Sequence, residues 1–146
     1  MKYLLDTCVI SEMMKPQPNP SVVEWFSAIP DEELYLSAVT IGELCEGFQK
    51  LPPSNRRTAF ERWFHIYVED AFAARILPYD KEAAKRWAII MARTSAEGHP
   101  RPAIDTMIVA IADLHGMTVV TRNERDMRYT GVPLLNPFAE TEKGDP

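Results

Sequence analysis

The segment AIDTMIVAIADLHGMTVV, residues 103–120, contains the pattern that decides the fold. It is apolar on almost every side from Ala103 to His115, which predicts a central, buried helix that ends at Gly116. Met117–Val120 follows directly and is rich in β-branched residues, which indicates a strand. A buried helix that leads into a buried strand is typical of a protein in which helices cover a sheet.

The same alternation continues along the rest of the chain. We predict further extended segments at Tyr3–Leu5, Leu34–Leu36, Arg75–Pro78 and Val132–Leu135. Helices are predicted from near Val9, over Pro20–Ala28, from Ser37 to about Leu51, from a capping box at Thr58 and Glu61 through Tyr67, from a cap at Asp80 to Gly98, and as a short turn at Asn123–Met127. Strands that alternate with helices predict an α/β fold with a parallel sheet covered on both faces.

The chain has 146 residues, the size of one domain, and its 46% hydrophobic and 25% charged residues exclude a disordered or fibrous protein. Its longest apolar runs span six residues, whereas a membrane-spanning helix needs ~20. Asp6 interrupts the first apolar run before a secretory signal could form. We therefore expect a cytoplasmic protein without membrane contact, in which Cys8 and Cys45 are reduced thiols that pack as small apolar groups.

The net charge of −5 disfavours a protein coated with basic surface for duplex DNA. We predict one domain over residues 1–137 and an acidic tail over residues 138–146. In the tail, Glu140, Glu142 and Asp145 stand against Lys143 and account for −2 of this charge. The remaining charge is what one cluster of carboxylates would give, so the composition permits a nucleic-acid substrate without indicating one.

Polar residues follow the predicted strands where an open parallel sheet binds its ligands, beyond the carboxyl ends. Asp6 directly follows the first strand, and Asn123 lies two residues past Thr121 at the end of another. Glu43 lies in the helix after the second strand, and Asp105 lies in the first turn of the buried helix. We therefore expect four side chains from distant parts of the chain to point to one place.

Each of these residues also has a purely structural interpretation. Glu43 could complete a capping box with Thr40, and Asp105 could be an acid favoured by the helix dipole. Asp6 could start an Asx turn, and Asn123 is a common residue in strand-to-helix turns.

The combination of acids nevertheless points to a cation. An acid directly after a buried strand and another within an apolar helix are each costly unless something compensates them. Mg²⁺ and Mn²⁺ do so because they prefer carboxylate oxygens. Asp126 is expected to be a solvated turn residue, with the alternative that it supplies the acid at position 123. His65, His99 and His115 lack zinc-ligand spacing and are expected to be structural.

Four motifs carry a resemblance to a known family: LDTCVISE at 5–12, LSAVTIGEL at 36–44, DTMIVAIA at 105–112 and TVVTRN at 118–123. In this order and spacing they resemble PIN-domain proteins, and more narrowly the VapC/FitB-like toxins of type II toxin–antitoxin pairs, from Met1 to about Pro137. The resemblance implies a three-layer α/β/α sandwich with a central, mainly parallel sheet and the activity of a Mg²⁺- or Mn²⁺-dependent endoribonuclease. It also implies RNA as the substrate, a cognate antitoxin protein as a partner, and a homodimer.

The resemblance further implies a catalytic set of Asp6, Glu43, Asp105 and Asn123, of which the three acids would be the metal ligands. Thr121 and Arg122 would contact the substrate. Two positions depart from the family pattern. Asn123 stands where an acid is usual, which argues against a tightly held second metal, and Cys8 stands where many relatives have Asn, which removes a supporting hydrogen bond.

Several arginines lie near these motifs. Arg122, Arg125 and Arg128 recur at a spacing of three and are expected to lie along one side of a helical turn beside the site, with Arg101 at its other end. Under the resemblance they would contact RNA phosphates or an antitoxin tail. The alternative is that they are solvated surface residues.

Other α/β classes fit poorly. A haloacid-type phosphatase needs Asp-x-Asp after the first strand, but the residue two positions after Asp6 is Cys8. A phospho-receiver domain needs a lysine where Thr121 and Arg122 stand, and a dinucleotide-binding domain needs a G-x-G-x-x-G motif after the first strand, which is absent. The remaining alternative is a catalytically weak or inactive PIN-like module that binds RNA or protein, and Asn123 keeps it open.

Overall fold

The structure is a computed structural model that describes residues 1–138. Within these residues, five strands form one sheet in which every neighbouring pair runs parallel. The strands are β1 (Tyr3–Leu5), β2 (Leu34–Ser37), β3 (Ile76–Leu77), β4 (Thr118–Val120) and β5 (Leu134–Leu135). Their spatial order is β3-β2-β1-β4-β5, which confirms the predicted parallel sheet.

The chain changes direction across the sheet at β1, its central strand. Strands β2 and β3 extend to one side of β1, and β4 and β5 extend to the other. In register, Tyr3 pairs with both Leu34 of β2 and Thr118 of β4. Parallel α/β sheets bind ligands where the strand order reverses, beyond the carboxyl ends of the strands. In this sheet that point lies beyond the carboxyl ends of β1 and β4.

The helices of the described chain lie between the strands. They are α1 (Thr7–Glu12), α2 (Pro20–Ala28), α3 (Ala38–Gln49), α4 (Asn55–Phe64), α5 (Lys81–Ala96), α6 (Ala103–His115) and α7 (Glu124–Met127). Helix α4 continues as a π-helical segment, His65–Asp70, and 3₁₀ turns cover Asp31–Glu33 and Ala73–Arg75.

Helices cover both faces of the sheet. Successive strand residues point to opposite faces, so Leu5 and Val120 enter one buried cluster while Leu4 and Val119 enter another. The first cluster includes buried residues of α1, α2, α3 and α4, and the second includes those of α5, α6 and α7. This arrangement confirms the three-layer α/β/α sandwich.

Some local predictions agree with the structure to the residue. Pro20–Ala28 and Ala103–His115 are helices with the predicted ends. Gly116 ends the second of these with a φ of +65°, a left-handed conformation that glycine adopts at no steric cost. Asp80 caps α5, since its Oδ1 accepts a hydrogen bond of 3.0 Å from the backbone N–H of Ala83.

The predicted capping box at Thr58 is wrong. Helix α4 begins three residues earlier, at Asn55, and its N-cap is Ser54, whose Oγ accepts from the backbone N–H of Arg57 at 3.2 Å. The hydroxyl of Thr58 instead donates to the carbonyl of Ser54 at 3.1 Å, as expected inside a helix. Glu61 pairs with Arg57 at 3.2 Å and does not reach back to a cap.

Other predictions need smaller corrections. Helix α6 is not buried all round, because Ile104 in its first turn is 52% exposed. Arg75 belongs to a 3₁₀ turn and Val132 precedes β5, so both predicted strands are shorter. Phe138 lies within the predicted tail, but it is 1% exposed and belongs to the core. The rest of the predicted acidic tail, residues 139–146, lies outside the described residues. In residues 1–138, no helix has both the length and the apolar character needed to span a bilayer.

Candidate active site

Asp6 lies at the switch point of the sheet and both of its carboxylate oxygens are engaged. Its backbone N–H continues the sheet by donating to the carbonyl of Val120 at 2.9 Å. Its Oδ2 accepts a 2.8 Å hydrogen bond from the hydroxyl of Thr121, and its Oδ1 accepts one of 2.8 Å from the backbone N–H of Thr7, the first residue of α1. The side chain is therefore buried and fixed, and its structural role as a helix cap coexists with a place in the site.

Thr121 is fully buried, which contradicts the predicted contact with substrate. Besides donating to Asp6, its hydroxyl accepts a 2.8 Å hydrogen bond from the backbone N–H of Asn123. Both the proton and a lone pair of this hydroxyl are thus used inside the protein. Thr121 holds Asp6 and the turn after β4 in place.

Glu43 projects from α3 toward α1 and is held by a hydroxyl. The Thr7 Oγ1 donates to Glu43 Oε1 at 2.5 Å and lies 3.0 Å from Thr40 Oγ1. The structural alternative for Glu43, a capping box with Thr40, is wrong, because Ser37 is the N-cap of α3 and its Oγ accepts from the Thr40 backbone N–H at 3.1 Å.

Three hydroxyls lie behind Glu43 and contact one another. Ser37 Oγ donates to Thr40 Oγ1 at 3.4 Å, and Thr7 Oγ1 lies within hydrogen-bond distance of both Thr40 Oγ1 and Glu43 Oε1. A hydroxyl has a single proton, so Thr7 donates to one of these two oxygens at a time. Ser37 and Thr40 are both fully buried, and their contacts with Thr7 support the position of Glu43.

Asp105 and Asn123 meet across the crevice. The Asn123 side-chain amide donates to Asp105 Oδ2 at 3.3 Å. Burial, followed in order of size by the negative charges of Asp6, Asp126 and Glu43, raises the pKa of Asp105 from 3.8 to about 6. The structure thus brings together the four predicted site residues and, with them, Asp126, the predicted alternative acid.

Of the two predictions for Asp126, a solvated turn residue or a substitute for the acid at position 123, the structure favours the second, because the residue is half-buried on α7. Its charge acts on Asp105 more strongly than that of Glu43 does. The sequence offered a signal for it, since an acid three residues after Asn123 on a short helix returns to the same side.

Cys8 is also part of this site and not merely a small apolar residue. Its Sγ lies 3.5 Å from Asp6 Oδ2 and 3.9 Å from Thr121 Oγ1, and it accepts from the backbone N–H of Arg122 at 3.5 Å. The supporting hydrogen bond expected to be missing at this position is therefore replaced by a weaker thiol contact. Burial, together with the charge of Asp6, raises the pKa of the thiol to about 11. Cys45 is half-buried against the core, as predicted.

The arginines do not lie along one side of a helical turn, because α7 is only four residues long. Arg122 precedes α7 and its guanidinium lies 4.3 Å from the centroid of the Phe138 ring. Arg128 is extended after α7. Arg101 binds the turn directly, since its Nη1 donates to the carbonyl of Arg125 at 2.8 Å. Each of these arginines nevertheless lies within four residues of Asp105 or Asp126 along the chain.

The donors at this site suit a hard divalent cation. Within residues 1–138, no three acidic, thiol or imidazole side chains stand in the geometry of a formed metal site. However, carboxylates arrive from four separate segments, and their mutual repulsion is what a bound cation would relieve. Among the described residues, Glu43 is held through Oε1 only, which leaves Oε2 for an ion, and Asp6 Oδ1 accepts a single hydrogen bond and so keeps a lone pair.

A parallel sheet with acids converging at its switch point is the architecture of a PIN-type domain. The family model described as PIN domain matches residues 3–132, and the chain belongs to this family. It is 38% identical over 135 residues to VapC ribonuclease Y4jK of Sinorhizobium fredii, covering 92% of this chain and 96% of the relative. It is 36% identical over 135 residues to Toxin FitB of Neisseria gonorrhoeae, covering 92% and 97%.

A solved structure gives the same result. The structure of FitAB bound to an IR36 DNA fragment superposes with a TM-score of 0.88 at 36% identity, covering 93% of this chain and 95% of the matched chain. These similarities identify the chain as a PIN toxin of the VapC/FitB type found in toxin–antitoxin systems.

Proposed function

We propose that the protein is the toxin of a type II toxin–antitoxin pair and a Mg²⁺- or Mn²⁺-dependent endoribonuclease. The observation that carries the proposal is the convergence of four carboxylates beyond the ends of β1 and β4, with the pKa of Asp105 raised to about 6. An acidic cluster of this kind destabilises a fold unless an ion or a substrate compensates it. The likeness to a VapC ribonuclease supports RNA as the substrate.

In this proposal Asp6, Glu43 and Asp105 hold the ion, and Asp126 adds the charge that Asn123 lacks. When bound, the ion would supply an activated water and neutralise the charge that develops on the leaving 3′ oxygen. Thr121 and Thr7 fix Asp6 and Glu43 in advance, which reduces the cost of ordering them during the reaction. Asn123 positions Asp105 by donating to it. Arg122, exposed beside the site, contacts the RNA backbone.

The proposal includes a cognate antitoxin protein, a homodimer and a cytoplasmic location. The matched FitAB structure is a complex, which supports a partner of this kind for the present chain. Light scattering of the purified chain gives its oligomeric state. Co-expression with the protein encoded beside it, followed by purification through one tag, tests the antitoxin.

Cleavage of a pool of cellular RNAs by purified protein tests the activity, in Mg²⁺, in Mn²⁺ and in EDTA. Asp6→Asn is the inactive variant and Asp113→Asn is its matched control, since Asp113 lies on α6 and pairs with Arg86 at 2.8 Å, away from the cluster. We expect metal-dependent cuts that EDTA and Asp6→Asn abolish and Asp113→Asn retains. Cleavage that survives in Asp6→Asn would assign the activity to a contaminant.

A second candidate is a catalytically weak or inactive module that binds RNA or protein. Asn123 favours it, since a neutral amide takes the place of an acid. No cleavage by the wild type, together with intact binding of both Mn²⁺ and RNA, would support this candidate and contradict the nuclease.

A further inference from the structure

Tyr129 is an exposed aromatic residue that follows the acidic cluster along the chain. It lies three residues after Asp126, so its Cα is within about 11 Å of that residue. Its side chain is 47% exposed, and its backbone φ is +71°. A residue with a β-carbon rarely adopts this left-handed conformation, and where it does, the strain is stabilised by its surroundings and is common at functional sites.

The surroundings that hold Tyr129 in this conformation are contributed by α5. Arg93 donates through Nη1 to the carbonyl of Tyr129 at 3.2 Å and through Nη2 to that of Thr130 at 2.7 Å. Thr130 is buried, and its hydroxyl donates to the carbonyl of Met127 at 2.8 Å. The backbone is thus rigid, although the ring that it carries contributes little to the core.

The ring of Tyr129 is stacked and surrounded by cations. His99 lies parallel to it, with 3.8 Å between ring centroids and an angle of 8° between the planes. The guanidinium carbons of Arg101 and Arg128 lie 5.4 Å and 5.6 Å from the same centroid. His99 and Arg101 precede α6, which carries Asp105, and Arg128 follows α7, which carries Asp126. We call this group the stacking platform: His99, Arg101, Arg128 and Tyr129.

The cations here are not neutralised within the part of the chain that the structure describes. Three arginines elsewhere pair with carboxylates, namely Arg57 with Glu61, Arg86 with Asp113 and Arg93 with Glu97, whereas Arg56, Arg62 and Arg75 form no ion pair with the described residues. Among residues 1–138, Arg101, Arg125 and Arg128 form no ion pair, whereas the charge of Arg122 acts on the carboxylate of Glu12. In a chain with a net charge of −5, unpaired arginines beside an acidic cluster form a local site for anions.

We propose that the stacking platform binds an unpaired nucleotide of single-stranded RNA next to the carboxylates, with the base stacked on the aromatic pair and the adjacent phosphates on Arg101 and Arg128. Aromatic rings and guanidinium planes both stack on bases, and unpaired bases are what RNA-binding proteins read. An acidic peptide would use the cations but not the strained, exposed ring. The choice of RNA as ligand rests on the proposed function.

Binding measured without catalysis tests this directly. A fluorescein-labelled single-stranded RNA oligonucleotide is titrated in EDTA with protein that carries Asp6→Asn, and anisotropy reports the affinity. We expect Tyr129→Ala to weaken binding by about 5- to 150-fold, the range for loss of one base–aromatic stack. Tyr129→Phe should keep the affinity. Tyr129→Gly removes the ring without backbone strain and should match Tyr129→Ala. Tyr67→Ala, at a ring 60% exposed on the π-helical segment, is the matched control and should have no effect.

Two further readouts separate stacking from charge. An oligonucleotide with abasic residues should bind wild-type protein and Tyr129→Ala equally. Arg101→Ala and Arg128→Ala should each reduce the slope of log affinity against log salt by roughly 0.7, whereas Tyr129→Ala should leave the slope unchanged. Equal affinity of wild type, Tyr129→Ala and Tyr129→Gly for base-containing RNA would overturn the platform.

The platform and the nuclease can fail separately. If the wild type cleaves RNA and the Tyr129 variants bind and cleave as it does, the nuclease is supported and the platform is refuted. If the wild type does not cleave in Mg²⁺ or Mn²⁺ but binding depends on Tyr129 and on bases, the platform is supported and the nuclease is refuted.

Discussion

Asp105→Asn should make the metal-free protein more stable while it abolishes cleavage. Asp105 is held with a pKa of about 6, because of burial and because the charges of Asp6, Asp126 and Glu43 oppose its ionisation. Ionised Asp105 therefore destabilises the folded state at neutral pH. Asparagine has the same shape and its side-chain oxygen can still accept from Asn123, so the substitution removes the charge without opening a cavity.

The size of this effect follows from the pKa. A rise from 3.8 to about 6 corresponds to roughly 3 kcal/mol for a fully buried group, at about 1.4 kcal/mol per pKa unit. Asp105 is only half-buried and water screens its charge, so we expect about 1 kcal/mol. For a chain of this length that is a rise in Tm of roughly 3 °C.

The pH dependence has a definite sign. Because the folded-state pKa is raised, the folded state binds the Asp105 proton more tightly than the unfolded state does, and stability is lost as pH rises from about 4 to about 6. Urea unfolding in EDTA should thus find Asp105→Asn more stable than wild type at pH 7.5, with the difference disappearing by pH 4. Asp113→Asn, on the same helix, should lose at most about 1 kcal/mol at pH 7.5 and show no such gain.

Mn²⁺ should reverse the order of stability of Asp105→Asn and wild type. At a hundredfold excess over its dissociation constant, an ion bound to the folded state alone adds about 2.7 kcal/mol, and Asp105→Asn should receive less of this because it lacks a ligand. A variant that is less stable than wild type in EDTA at pH 7.5 would refute the reasoning about Asp105, and an unchanged order in Mn²⁺ would refute its role as a metal ligand.

Three other substitutions test how the site is built. Thr7→Val removes the donor to Glu43 and should lower Mn²⁺ affinity and kcat by about tenfold or more. Thr7→Ser keeps a hydroxyl and should retain the wild-type Mn²⁺ affinity and kcat. Thr94→Val is the control, since this buried threonine of α5 bonds only to backbone carbonyls and its loss should lower stability alone. In a Cys45→Ser background, iodoacetamide should alkylate Cys8 about 100-fold more slowly than a free thiol, since the pKa of Cys8 is about 11 instead of 9.0. Asp6→Asn should speed the alkylation of Cys8, and an unchanged rate would contradict the contact between Cys8 and Asp6. Glu12→Gln breaks the 2.9 Å pair with Lys15 at a side chain that is 8% exposed, and it should cost about 1–2 kcal/mol in urea unfolding with cleavage retained. Loss of cleavage in folded protein would place Glu12 in the site.

The parts of the fold that the sequence predicted are those fixed by local signals. An apolar helix that ends in glycine, a proline at the start of a helix and an aspartate cap each act within a few residues, and all three agree with the structure. The capping box predicted at Thr58 is wrong because a second local signal competes with it. Ser54 and Thr58 are both good caps, and local sequence cannot rank two caps a single turn apart.

The candidate site was predictable only in part, since the sequence locates the acids but not what holds them. Asp6, Glu43 and Asp105 follow from strand ends and helix turns. The contact between Thr7 and Glu43 depends on how α1 docks against α3, and the left-handed conformation of Tyr129 depends on two hydrogen bonds from α5. Contacts between distant elements leave no periodic signal in the sequence, and these are the contacts that orient the site.

Asn123 illustrates why the structure changes the meaning of a departure from the family motif. An aspartate at this position would bring a further negative charge to Asp105, whose pKa is already raised by burial and by three neighbouring carboxylates. The amide instead donates to Asp105 at 3.3 Å, which stabilises the ionised form that a cation requires. Because Asp126 acts on the same carboxylate from the next helix, the cluster contains four acids without one at position 123. The amide at position 123 therefore lowers the repulsion within the metal-free cluster relative to an aspartate there.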